Sequence, residues 1–183
     1  MSALLLTDAT MPVSFCKAGI GSARVMAAHL GPRVHMVEDV HLELQRLAAS
    51  LPALETLLED WPPNPVRELG LDLKARVAQV IRARQIPGHH PDEDRGELAT
   101  IFYAAQRREA GEAFEVITDD RFGKQLARDR GLGLVTTPQL VIELVTAGQL
   151  PKKEGERVWR YCTPRKAWSR FHEEVGGLTG AKR

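Results

Sequence analysis

The feature that constrains this chain most is the alternation of short apolar runs with longer amphipathic stretches. Leu4-Leu5-Leu6-Thr7, Val34 to Val37, Phe114 to Thr118 and Leu134-Val135-Thr136 are too short for helices. Most of their residues are apolar, as expected for strands buried on both faces of a parallel sheet. Between them lie stretches of helical period. Met11 to Lys17 and Ser22 to Leu30 are separated by Gly19-Ile20-Gly21 and stopped by Gly31-Pro32. Glu38 to Ala49 buries Val40, Leu44, Leu47 and Ala48, while Leu73, Val77, Val80 and Ile81 fall at i, i+4, i+7 and i+8 in a helix ending near Pro87. Leu98, Ile101, Phe102 and Ala105 mark the inner face of a strong helix. Arg121 to Arg130 is a helix stopped by Gly131, and Pro138 opens another that runs to Ala147. Strands alternating with helices in this way predict an α/β fold: a three-layer α/β/α sandwich with a central, mostly parallel sheet of four or five strands.

A chain of 183 residues suits one domain with a sizeable core. The expected organisation is a domain over residues 1–150, a helical and loop insertion at about 50–92, and a helical extension at 151–183. Residues 50–70 lack regular patterning. Trp61-Pro62-Pro63-Asn64-Pro65 and His89-His90-Pro91-Asp92-Glu93-Asp94 are expected to be surface loops. In the extension, Val158, Tyr161, Trp168 and Phe171 predict one or two amphipathic helices before a looser Gly-rich end. Residues 1–150 carry 16 Lys and Arg against 20 Asp and Glu, a balance of −4, and residues 151–183 carry 9 against 4, a balance of +5. An acidic body with a basic tail fits nucleic acid, with metal covering the acidic part, but charge alone slightly favours a soluble protein whose tail happens to be basic. No apolar run is long enough to span a bilayer, and the N-terminal stretch has no basic region of the kind a signal peptide carries. Cys16 and Cys162 are far apart and match neither a disulfide scaffold nor a zinc finger, so a cytoplasmic setting is expected.

In open α/β sheets, ligands sit beyond the carboxyl ends of the strands. Asp8 follows the first strand, Asp119-Asp120 the third and Thr136-Thr137 the fourth, while Glu43 and Glu97 lie on the neighbouring helices. Each has a plainer role open to it. Asp8 could cap the helix starting near Met11, Asp119 or Asp120 could cap the helix after them, and Asp94-Arg95-Gly96-Glu97 could be a capping box. Glu43 borders the apolar stripe of its helix, so a fully solvated role suits it less well. Together the four carboxylates are a hard oxygen donor set for Mg²⁺ or Mn²⁺, and their convergence is costly without a cation among them. Other motifs are weaker. Gly19-Ile20-Gly21 lies too far beyond the strand for a dinucleotide fingerprint, and His89-His90 fits a polar loop as well as a metal pair. Trp159, Tyr161, Trp168 and Phe171, interleaved with Arg157, Arg160, Arg165, Lys166 and Arg170, could stack on unpaired bases or pack a terminal helix onto the body. Packing is the commoner use.

These residues resemble the PIN-domain ribonucleases, a family that includes the toxins of many bacterial toxin–antitoxin pairs. Asp8-Ala9-Thr10 is similar to the family's opening acidic motif, and Val37 to Leu44 resembles its second, with Glu43 as the ligand. Gly96 to Ile101 resembles the Gly-Glu helix start of a PIN-like branch. Val116 to Phe122 resembles the strand-end motif of Thr, any residue, Asp, and Gly131 to Thr137 fits the closing segment. The likeness covers roughly residues 4–150. It implies a metal-dependent endoribonuclease that hydrolyses RNA phosphodiesters with Mg²⁺ or Mn²⁺. Asp8, Glu43, Glu97 and Asp120 would bind metal, Asp119 would assist, and Thr7 and Thr118 would orient carboxylates. The partners to expect are RNA, contacted by Arg160, Arg165, Lys166 and Arg170, together with an antitoxin protein and a second copy of the chain.

Two other functions compete. One is a non-catalytic RNA- or protein-binding module on the same fold. The other is a phosphatase with Asp8 as nucleophile, which lacks the usual Asp-x-Asp because position 10 is Thr.

Overall fold

The computed structural model describes residues 4–61, 66–84 and 94–179. Among them β1 (Leu4–Thr7), β2 (Val34–Val37), β3 (Val66–Arg67), β4 (Phe114–Ile117) and β5 (Gly133–Val135) form one parallel sheet in the order β3-β2-β1-β4-β5. Leu5 lies opposite Val34 and Glu115, and Met36 opposite Val66. Every residue of β2 is buried, as are three of the four in β1 and β4, which is why these strands read as apolar runs rather than alternating ones.

The helices are α1 (Thr10–Ala18), α2 (Ile20–Leu30), α3 (Glu38–Ala48), α4 (Pro52–Asp60), α5 (Leu71–Arg84), α6 (Arg95–Glu109), α7 (Arg121–Asp129), α8 (Thr137–Thr146), α9 (Lys152–Cys162) and α10 (Arg170–Thr179). The expected α/β/α sandwich is present: helices flank a five-stranded, wholly parallel sheet. Helix α6 packs on β1, β2 and β4 and is bordered by α3, α5 and α7. Enclosed in this way, it buries Gly96, Leu98, Ala99, Thr100, Ile101, Phe102 and Ala104, nearly its whole N-terminal half rather than a single stripe. Helix α1 packs with α2, α4 and α9, and α8 packs with α9 and α10. Among the described residues no helix is long and apolar enough to cross a membrane.

Four expectations need correction. Leu47, expected on the buried stripe of α3, is 37% exposed. The stretch from 50 to 70 is more regular than its pattern: it holds α4 and then β3, which extends the sheet beside β2. Two residues are too few to show a strand period, and β3 is short because it sits at the sheet edge. Trp61, expected in a surface loop, is buried, whereas residues 62–65 and the His89-His90 pair lie outside the described residues. In the extension, Val158 and Phe171 are buried as expected, but Tyr161 is 53% exposed, and Gly155, Trp159 and Val175 complete the buried set. The remaining aromatics do pack the terminal helices onto the body. Phe171 meets Trp159 at 5.6 Å between ring centroids, and Trp159 Nε1 donates to the Ala167 carbonyl.

Candidate functional site

The strand order reverses at β1. The chain runs outward through β2 and β3 on one side and then returns to place β4 and β5 on the other. The crevice beyond the carboxyl ends of β1 and β4 is therefore the place where such a sheet offers a ligand site. A cleft of about 240 Å³ lies there, lined by Asp8, Ala9, Thr10, Glu43, Asp94, Glu97 and Asp120. All four principal carboxylates expected from the sequence thus line one cavity, and Asp94 joins them.

Asp8 follows β1 directly and is 5% exposed. Its amide donates to the Ile117 carbonyl, continuing the sheet, and its Oδ1 accepts from the Thr10 amide at 2.9 Å. Thr7 does not orient a carboxylate: its hydroxyl donates to the main-chain carbonyl of Asp8. Thr118 does, and its buried hydroxyl donates to Glu97 Oε1 at 2.6 Å. The capping box at 94–97 is not formed, because Asp94 makes no side-chain cap bond. Glu97 is drawn across to β4 instead. Gly123 in α7 makes room for it: a Cβ at 123 would overlap Glu97 Oε1 and approach Thr118 Oγ1 to 3.0 Å. Gly96 plays a similar part for α3, since a Cβ there would stand 3.0 Å from both Glu43 Oε2 and Val40 Cγ2.

The two aspartates after β4 differ. Asp120 is exposed and its Oδ1 caps α7, accepting from the amides of Phe122 at 2.6 Å and Gly123 at 3.2 Å. Asp119 turns inward. Its Oδ1 accepts from the Thr137 amide at 2.8 Å, while its Oδ2 is buried without a hydrogen-bond partner, as is the Thr137 hydroxyl. Capping is therefore a real role for Asp120, although the same residue also lines the cleft.

Packing carboxylates together changes their chemistry. Burial pushes Asp8 up to about 8, and the charges of Asp119 and Glu97 add to that, against the opposing pull of Thr118 and the Thr10 amide. The Thr118 hydroxyl has one proton, and Glu97 takes it. Burial likewise raises Asp119, offset in part by Thr137 and Lys124, and raises Glu43, offset by Arg46. Among the described residues, no three His, Cys, Asp or Glu side chains stand in an arrangement that could hold a metal ion. The local bonds account for this: Asp8, Asp119 and Asp120 are turned to nearby backbone amides, and Glu97 to the Thr118 hydroxyl.

Arg160, Arg165, Lys166 and Arg170 are exposed and lie outside the cleft lining. Arg160 pairs with Glu156, and the Arg160 and Arg165 guanidinium groups lie 5.3 Å and 5.6 Å from the centroid of the Trp168 ring. Trp168 is accordingly occupied by this chain's own cations. Cys162 ends α9, and its thiol is pushed up by burial and by the charge of Asp119.

Asp94 and Gly123 are parts of the site that the sequence does not announce: a capping-box spacing disguises the first, and nothing in a single sequence marks the second. Thr137 is placed by the sequence at a strand end, but not as the partner of Asp119. No family model matches the chain, and neither the curated proteins nor the solved structures compared with it include a match, so the argument for its chemistry rests on the geometry of this cleft.

Proposed function

We propose that this protein is a metal-dependent endoribonuclease acting at the cleft beyond β1 and β4. The observation that best supports this reading is the convergence of Asp8, Glu43, Glu97 and Asp120, from four separate elements, on one small cavity at the reversal of strand order. The donors suit Mg²⁺ or Mn²⁺ in kind, being all oxygen, and a cation would relieve their mutual repulsion, but the carboxylates would have to turn from the bonds they now make before three could meet on one ion. Asp8, Glu43, Glu97, Asp119 and Asp120 would hold the ion. When bound, such an ion activates water and offsets charge on a phosphodiester.

The chain's own residues do the rest. Thr118 fixes Glu97, the Thr137 amide fixes Asp119, and Asp120 anchors the start of α7 beside the cleft. Asp8 is buried and Asp119 half-buried, which shields one side of the site from bulk water. Exposed Arg160, Arg165, Lys166 and Arg170 would attract the RNA backbone toward an otherwise acidic surface. The family resemblance adds an antitoxin protein to this reading, the sparse cysteines a cytoplasmic setting, and a second copy of the chain is a further expected partner.

A second reading, a non-catalytic RNA- or protein-binding module, draws on the lack of a ready three-ligand arrangement among the described residues. One experiment separates the two. Incubation with total RNA, with Mn²⁺ or with EDTA, followed by end mapping, should yield new ends only with Mn²⁺. RNA retained but uncut would favour the binding module.

A further inference from the structure

A second cleft, of about 440 Å³, lies between α5, α6 and α7, and Phe102 forms part of its lining. Two guanidinium groups approach this one ring. Arg76 of α5 lies 5.0 Å from the ring centroid, and Arg130, just beyond α7, lies 4.5 Å from it. Stacking on an aromatic face holds the planar fork still and leaves its N–H edge free to donate. Among the described residues, neither guanidinium comes within ion-pairing distance of a carboxylate. Glu109 and Asp129 also line the cleft, but Asp129 Oδ1 accepts from Gln125 Nε2 at 2.8 Å. The hydrogen bond that Arg130 donates is a long one, 3.5 Å to the Leu126 carbonyl. Burial holds Arg130 below the ordinary arginine range, the nearby charge of Arg76 adds to this, and the charge of Asp129 offsets part of it.

The position relates this cleft to the first. Phe102 lies on α6 five residues after Glu97, roughly 7.5 Å along the helix axis at 1.5 Å per residue. Both α6 and α7 begin at the carboxylate cleft, with Glu97 and Asp120, and both lead to this pair of arginines.

We propose that Arg76 and Arg130, stacked on Phe102, form a phosphate subsite that holds the backbone of an RNA strand whose neighbouring segment occupies the carboxylate cleft. The subsite rests on the nuclease reading for its ligand. A guanidinium fork suits a phosphate through paired N–H donors. The aromatic face is already covered by the arginines, so the subsite grips backbone and not base.

The test is binding of a fluorescein-labelled single-stranded RNA to the full chain in EDTA, by anisotropy across a salt series. Arg76 is exposed, so Arg76→Gln should fold as the parent does. It should weaken binding and flatten the plot of log affinity against log salt by about 0.7, the release expected for one neutralised phosphate on a single strand. Arg130→Lys, which keeps the charge but loses the fork, should also weaken binding. Arg82→Gln removes the same charge from α5 outside this cleft and should leave the slope alone. A parent that binds RNA with a slope unchanged in Arg76→Gln, or reduced as much in Arg82→Gln, overturns the subsite and leaves the nuclease reading standing. A parent that binds no RNA in EDTA overturns the subsite, and the nuclease reading is then decided by cleavage in Mn²⁺.

Discussion

Gly123→Ala probes the carboxylate cleft through a residue with no functional group of its own. Alanine is favoured over glycine inside a helix by about 1 kcal/mol, so on propensity alone the change should stabilise α7. The new methyl, however, takes the space of the Glu97 carboxyl and presses on Thr118 Oγ1 at 3.0 Å. Glu97 is flexible and must swing away, giving up the 2.6 Å bond from Thr118. A hydrogen bond to a charged group contributes about 1.5–3 kcal/mol. The net result is destabilisation by about 1 kcal/mol, a fall of roughly 2–4 °C in melting midpoint for a domain of this size. In a Glu97→Ala background the obstruction is gone and the same change should stabilise by about 1 kcal/mol. A double-mutant cycle by denaturant unfolding reads this reversal of sign. Equal effects in the two backgrounds would show that Gly123 does not make room for Glu97. RNA cleavage by Gly123→Ala at the parental rate would show that Glu97 is not needed where the structure holds it.

Four further outcomes follow from the same geometry. Asp8 titrates near 8 in the fold against 3.8 when unfolded, so its contribution to stability is complete below about pH 4 and is lost as pH rises toward 8. In EDTA, the stability difference between parent and Asp8→Asn should therefore shift against the parent across that window, and a difference independent of pH would contradict the burial argument. Asp119→Asn removes a charge that raises Asp8 and should bring the Asp8 midpoint down, as read by carboxyl NMR. Asp120→Asn keeps a good cap and the parental stability but should cut cleavage at least tenfold, and parental activity there would remove Asp120 from the site. Replacing Arg160, Arg165, Lys166 and Arg170 with Gln should weaken RNA affinity and lower the salt slope by up to about 0.7 for each phosphate no longer neutralised, and an unchanged slope would leave the extension as packing alone.

The alternation of short apolar runs with helical stretches was enough to give the sheet, because strands buried on both faces leave a signal that a few residues can carry. Edge strand β3 left none: Val66–Arg67 is too short for any period and follows three prolines. The shared cleft was legible because carboxylates immediately after strands must lie at one edge of a parallel sheet. Their fine arrangement was not. Whether Asp119 or Asp120 turns inward depends on backbone angles at the strand end, and the sequence favoured Asp120, whereas it is Asp119 that buries an unpartnered oxygen. Thr7 and Thr118 read alike as hydroxyls at strand ends, yet only Thr118 reaches a carboxylate. The room made by Gly123 for Glu97 couples residues 26 apart on two helices, and no local pattern encodes it.

The most direct test of a cation-dependent nuclease site is single-turnover cleavage of an end-labelled single-stranded RNA by the parent protein and by Asp8→Asn, each freed of metal with EDTA and then supplied with Mn²⁺. The account predicts discrete fragments from the parent only when Mn²⁺ is restored, with Asp8→Asn folded but slower by a hundredfold or more, on the order of the loss that a 2.7 kcal/mol change in barrier produces. RNA left intact by the parent in Mn²⁺, or cut equally by Asp8→Asn, would contradict it.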